Sequence, residues 1–155
     1  MEYLTVKWLH ILSSTVLFGA GVGSAFHMFV ATLRGDVRHV AAVARVVVLA
    51  DWLLTTPTAI LQPVTGFYLM HLLGQPITSQ WLWWSTLLYG VAIASWLPVV
   101  WLQMRMRDVA AESVACGDAR LSRRYRRYFV WWTALGTIAL VAFLAIFYLM
   151  VFKPY

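Results

Sequence analysis

The sequence predicts an all-α fold, an integral membrane four-helix bundle with antiparallel up-down topology, formed by 1–155 as a single transmembrane domain. The composition is 62% hydrophobic and only 12% charged, whereas a soluble domain carries roughly a quarter charged residues. The stretches 8–33, 52–104 and 128–152 contain no Asp, Glu, Lys or Arg. Because about 20 apolar residues cross a bilayer, the first and last stretches predict one helix each. The middle stretch is long enough for two.

Turn signals divide these stretches into helices. The first apolar run is too long for a cleaved signal peptide. Pro57 and Pro63 predict a kink in the second helix, and Gly74 with Pro76 ends it. Ser122 is the predicted N-cap of the fourth helix. The helices are predicted at about 4–33, 46–73, 80–115 and 122–152, with 34–45 as a loop.

The distribution of basic residues predicts the orientation in the membrane. Ten of the twelve Lys and Arg residues lie between helices 1 and 2 or between helices 3 and 4, and only Lys7 and Lys153 lie elsewhere. The positive-inside rule then puts both basic segments in the cytoplasm, with helices 3 and 4 extending there. We therefore expect a multi-pass protein of the bacterial inner membrane with both termini periplasmic or exterior. The net charge of +6 is explained by topology, so no nucleic-acid partner is predicted.

The sequence lacks the ordinary signatures of soluble enzymes. Its single cysteine, Cys116, excludes a disulfide within the chain and a Cys-based metal site. No nucleotide-binding, zinc-protease or CxxC motif is present. Trp131 and Trp132 are assigned to an aromatic belt at the membrane surface.

His10 and His71 form the first candidate site. His10 lies about two turns into helix 1 and His71 in the last turn of helix 2. Because these helices are expected to be antiparallel neighbours, the two histidines fall in one exterior layer. Neutral imidazole is a good ligand for haem iron, copper and zinc. Ligation of haem b by His10 and His71 would suit an apolar bundle, with Lys7 pairing with a propionate and Tyr68 lining the pocket.

His27 and Asp51 form a second layer. His27 precedes Arg34 by seven residues and Asp51 follows Arg45 by six, so both lie near the cytoplasmic side. They are predicted to form a buried polar pair, with a structural role favoured over proton transfer. His10 and His27 cannot share a site, because 17 residues of helix span about 25 Å.

Small and helix-breaking residues predict local packing. Gly19 and Gly23 form a GxxxG motif, which is typical of close helix approach in membranes. Pro63 leaves the carbonyl of Ala59 without its usual partner, and Gln62 or Thr58 is expected to satisfy it.

Several segments resemble a bacterial family of small four-helix membrane proteins of unknown function. They are "LHILSSTVLFGAGVGSAF", "ARVVVLADWLLTTP", "LQPVTGFYL" and "WLPVVWLQMRMRD", and the similarity covers nearly the whole chain. It implies the fold and no particular activity.

The opening "YLTVKWLHIL" is more distantly similar to HemJ-type protoporphyrinogen oxidases and CopD-like membrane proteins. This resemblance covers helix 1 and implies haem at His10, with Lys7 beside it. HemJ-type proteins tend to carry Trp-Leu-His-x-Lys at the start of the third helix. The matching "WLWWS" has Trp83 and Ser85 in place of the His and Lys, so oxidase activity is not carried over.

The leading functional interpretation is therefore a haem-b membrane protein for electron transfer or haem-linked redox chemistry. A quinone or a membrane oxidoreductase is the expected redox partner, with the bilayer around the helices. Two alternatives stay open: a copper-handling protein, and a cofactor-free assembly subunit of a larger membrane complex. A homo-oligomer is compatible with each.

Overall fold

The computed structural model describes residues 1–76 and 79–153, and these residues are almost entirely helical. The second span consists of two α-helices that a π-helical segment, Asp51–Thr55, joins into one continuous helix. Within the described residues, four helices are therefore long and apolar enough to span a membrane, as predicted. The bounds are α1 Glu2–Arg34, α2 Val37–Ala50, α3 Thr56–Leu72, α4 Gln80–Ala115 and α5 Arg123–Phe152.

The second span begins at Val37, earlier than the predicted start near residue 46, so 34–45 is mostly helix. Gly35, at φ 76°, ends α1 in the left-handed conformation that glycine favours. The Asp36 carboxylate then accepts hydrogen bonds from the amides of Arg38 and His39 and caps α2. The basic residues of this segment led to the prediction of a loop. The segment also has a buried apolar face with helical spacing, formed by Val37, Val40, Ala41, Ala44 and Val47.

The third and fourth spans match their predicted bounds closely. Helix α4 runs from Gln80 to Ala115. Ser122 caps α5 as predicted, because its Oγ accepts a hydrogen bond of 3.2 Å from the amide of Tyr125.

The first two spans pack together as one helix pair, α1 on α2 and α3, and the last two as another, α4 on α5. Helix α2 also packs on α4 and joins the two pairs, whereas α1 and α5 hardly touch. We call the end with the α1–α2 and α4–α5 turns the basic end, and the opposite end the terminal end. The basic end is solidly packed around Met28, Val40, Met106 and Tyr125, which are fully buried. Cavities are found nearer the terminal end.

Within the described part of the chain, the GxxxG motif makes no close helix contact. A Cβ added to Gly19 or Gly23 would meet no atom within 4 Å, so neither glycine permits a close helix contact within the chain. The close approach occurs instead at Gly66 of α3, where an added Cβ would lie 3.3 Å from Cε1 of His10.

Candidate functional site

A cavity of about 430 Å³ lies between the two helix pairs at the terminal end. All four membrane spans contribute to its wall, and we call it the His10 cavity. Most of its surface is apolar. Its polar lining residues are Tyr3, Lys7, His10, Ser14, Gln62, Ser85, Thr86, Tyr89 and Lys153.

The imidazole ring of His10 is held against α3 by one hydrogen bond. Its Nδ1 lies 2.7 Å from Oγ1 of Thr65. The Thr65 hydroxyl donates its own hydrogen to the carbonyl of Leu61, at 2.7 Å, so Thr65 accepts from His10. The neutral imidazole therefore carries its proton on Nδ1 and leaves Nε2 as a free acceptor. Nε2 has no hydrogen-bond partner within residues 1–76 and 79–153.

Gln62 fixes the backbone of α1 at the same level. Its Nε2 donates to the carbonyl of His10 at 2.9 Å and to Oγ of Ser13 at 2.6 Å. Ser13 donates to the same carbonyl at 3.0 Å. With Gly66 leaving room for the ring, these contacts set both the depth and the rotation of His10 relative to α3.

The carbonyl of Ala59, left without its helical partner by Pro63, is satisfied differently from the prediction. The hydroxyl of Tyr89 on α4 donates to it. Gln62 is engaged with α1, and Thr58 donates to the carbonyls of Leu54 and Thr55. The carbonyl that Pro63 frees thus accepts a hydrogen bond that joins α3 to α4.

Two lysines line the His10 cavity near the membrane surface. The ammonium group of Lys7 lies 5.7 Å from the ring centroid of Tyr3. That of Lys153 lies 5.5 Å from the ring centroid of Trp81. Both side chains are exposed, so a negatively charged group at the cavity edge would meet two cations.

His71 and Tyr68 do not line the His10 cavity. His71 is exposed, and its ring stacks on Tyr68 with centroids 6.5 Å apart. The Tyr68 hydroxyl donates to the carboxylate of Glu2. His71 follows Thr65 by six residues, which rotates it about 120° away from the face that meets His10. Met70, which is buried, occupies the lining position instead.

The predicted pair of His27 with Asp51 is not formed. Asp51 is buried and accepts a hydrogen bond of 3.0 Å from Thr55 Oγ1. His27 is exposed, and its ring lies 6.3 Å from that of His39. At this depth of α1, Met28 is fully buried, whereas His27 lies on the exposed surface of the helix.

The structure adds three residues that sequence reasoning did not assign to the site: Thr65, Met70 and Lys153. A threonine within a span ordinarily bonds its own helix backbone, so Thr65 carried no distinct signal. Lys153 was used only to predict the orientation of the helices in the membrane. Within the described part of the chain, no group of three or more His, Cys, Asp or Glu residues could hold a metal ion.

Comparison with known families matches residues 4–154 to the family described as "Predicted integral membrane protein (DUF2269)". No curated protein and no solved structure matches the chain. These comparisons add no support for similarity to HemJ-type or CopD-like proteins, which stays a prediction. Because the family match covers nearly the whole chain, the protein belongs to this family of integral membrane proteins.

Proposed function

We propose that the protein binds haem b in the His10 cavity, with Nε2 of His10 as an axial ligand, for electron transfer or haem-linked redox chemistry. The observation that carries the proposal is the hydrogen bond from His10 to Thr65. Histidines that ligate metals almost always donate their other ring N–H to a fixed acceptor, which sets the tautomer and the ring orientation.

The cavity has the chemistry that a haem requires. Its volume of about 430 Å³ falls within the roughly 300–1,000 Å³ of ordinary ligand pockets. Apolar side chains from both helix pairs form the walls, and Lys7 with Lys153 would pair with the two propionates. When bound, haem supplies one-electron chemistry whose potential depends on the axial ligands and on burial.

We propose a second axial ligand other than His71, the residue predicted from the sequence. His71 lies outside the lining, whereas the thioethers of Met70 on α3 and Met150 on α5 are part of it. Met150 belongs to the helix pair opposite His10, so it is the better placed candidate to ligate from the other side. His/Met ligation is an established arrangement for electron-transfer haems.

The test is the visible spectrum of the detergent-purified protein, oxidised and dithionite-reduced, after expression with haem supply. We expect a Soret band with sharp reduced α and β bands in the wild type. His10→Ala should lose the haem, whereas the matched control His71→Ala should keep it. Loss of haem from both variants would favour ligation by His10 and His71 instead. A folded wild-type protein without haem would contradict the proposal.

Copper handling is the second candidate, and one observation favours it. Met70, Met150 and His10 line the same cavity, and thioether with imidazole suits Cu(I). Stoichiometric Cu(I) without haem absorption, lost in Met150→Leu and His10→Ala, would identify this function. A colourless protein that binds neither haem nor copper would fit the cofactor-free interpretation.

A further inference from the structure

A second cavity, of about 320 Å³, lies between the His10 cavity and the basic end. We call it the Asp51 cavity. Its wall is largely apolar and includes several aromatic rings. Leu17, Phe18 and Phe143 line both cavities, so only apolar side chains separate them.

Three buried polar atoms at this cavity have no partner. They are Oδ2 of Asp51, Oε1 of Gln103 and Nε1 of Trp132, and each lacks a hydrogen bond within the described residues. The three side chains are 3%, 4% and 5% exposed and come from three different spans. All three line the Asp51 cavity. Buried polar groups are nearly always paired, so three unpaired atoms around one cavity indicate a polar ligand.

The unpaired atoms specify what that ligand must offer. In its ionised form the Asp51 carboxylate only accepts hydrogen bonds, as Gln103 Oε1 does, whereas Trp132 Nε1 only donates. A matching ligand therefore needs two hydrogen-bond donors and one acceptor. Asp51 is also negatively charged when ionised, which disfavours an anionic headgroup.

The entrance to the Asp51 cavity faces lipid. Helices α1 and α5 hardly touch, and the lining residues Val22, Phe26 and Leu140 are exposed on the helix surface. Phe18 with Phe147, and Phe29 with Phe129, are the aromatic pairs that link α1 to α5. A ligand that enters between these helices would come from the bilayer.

We propose that the Asp51 cavity binds the ring of an isoprenoid membrane quinol. The two ring hydroxyls donate to Asp51 Oδ2 and Gln103 Oε1, and a ring oxygen accepts from Trp132 Nε1. The aromatic wall contacts the ring, and the tail lies between α1 and α5. A sterol, with one hydroxyl, would leave at least one of the two acceptors unpaired. This binding site does not depend on haem in the His10 cavity.

The experiment measures binding of decylubiquinol to the full-length protein in phosphatidylcholine/phosphatidylglycerol nanodiscs, with empty nanodiscs as the blank. The second probe is the dimethyl ether of decylubiquinol, which has the same ring but no hydroxyl donors. The variants are Asp51→Asn, Gln103→Met and Trp132→Phe. The matched control is Trp131→Phe, because Trp131 is 60% exposed on the same helix. Thermal stability is measured for every variant.

We expect saturable binding of decylubiquinol, about tenfold weaker in Gln103→Met and Trp132→Phe, as the loss of one hydrogen bond predicts. Trp131→Phe should bind as the wild type does, and the dimethyl ether should bind at least tenfold more weakly. Trp132→Phe removes no native hydrogen bond, and its measured thermal stability shows whether the smaller ring disturbs the core that includes Trp132. Absence of saturable binding, or equal binding in all variants, would overturn the proposal. Equal binding of the two probes would also overturn it.

Discussion

At the scale of single residues, the hydroxyl of Thr65 decides which nitrogen of His10 is available to a ligand. Its hydrogen is committed to the carbonyl of Leu61, so its lone pairs face the imidazole. An acceptor at this position selects the Nδ1–H tautomer and prevents ring rotation. Thr65 is not among the residues that line the His10 cavity, yet its hydrogen bond determines which nitrogen of His10 can bind a ligand.

Thr65→Val should weaken haem binding by about 10- to 100-fold, the usual effect of losing the partner of a metal-ligating histidine. The reduction potential of the bound haem should also rise, because an imidazole without this hydrogen bond is a weaker electron donor. Haem titration of the apoprotein and a redox titration of the holoprotein check these two results.

The matched control for that prediction is Thr58→Val. Thr58 lies on the same helix, and its hydroxyl bonds only backbone carbonyls of its own span. It should change neither haem affinity nor potential. If Thr58→Val and Thr65→Val behave alike, the hydrogen bond to His10 has no role beyond stability.

Sequence reasoning identified His10 and Lys7 because ionisable groups are rare within apolar stretches and are usually functional. It did not separate Met70 from His71, because adjacent residues share a depth and differ only by about 100° of rotation. That rotation depends on the path of the whole helix, which no single residue reveals.

At the scale of elements, the π-helical segment Asp51–Thr55 joins α2 to α3 without interrupting the buried face of the second span. Val47, Asp51, Thr55 and Ala59 are buried at four-residue intervals along it. The prolines of this span predicted a distortion of the helix, but not a π-helical segment that precedes both of them.

The N-cap of α5 makes a prediction about stability. Ser122→Ala removes the side chain that accepts from the Tyr125 amide, and loss of such a cap typically costs about 1 kcal/mol. The free energy of unfolding, measured by SDS titration in mixed micelles, should fall by this amount.

Ser79→Ala is the control for the capping effect. Ser79 occupies the equivalent position before α4, but its side chain makes no capping hydrogen bond there. It should lower the free energy of unfolding by less than Ser122→Ala does. An equal loss in both variants would mean that serine at these positions stabilises the protein for another reason.

At the scale of the whole molecule, packing quality differs between the two ends of the bundle. The basic end has a continuous buried core that includes Tyr125, whose hydroxyl bonds Thr32 at 2.9 Å. Toward the terminal end the helix pairs diverge around the two cavities. A closed end that holds the helices together and an open end that admits ligands is an arrangement suited to binding within the membrane.

The number and order of the spans could be predicted because they follow from the lengths of uncharged stretches, a property of composition. The cavities could not, because they arise where α1 fails to pack on α5. Trp132 illustrates the difference: it was assigned to a belt by its position, yet it is buried beside Gln103 and Asp51. The tilt and rotation of a helix, rather than the position of a residue along it, decide whether that residue is buried or faces lipid.

The orientation of the bundle gives the last prediction. Cys116 is the only cysteine and is exposed in the α4–α5 turn at the basic end, which the positive-inside rule puts in the cytoplasm. A membrane-impermeant maleimide added to intact cells should therefore leave Cys116 unlabelled, and permeabilisation should allow labelling. Gln75→Cys in a Cys116→Ser background places the thiol at an exposed position shortly after α3, at the terminal end, and should label without permeabilisation. The reverse labelling pattern would show that the topology is inverted. Lys7 and Lys153 of the His10 cavity would then lie on the cytoplasmic side, and a redox partner would have to approach the cavity from there.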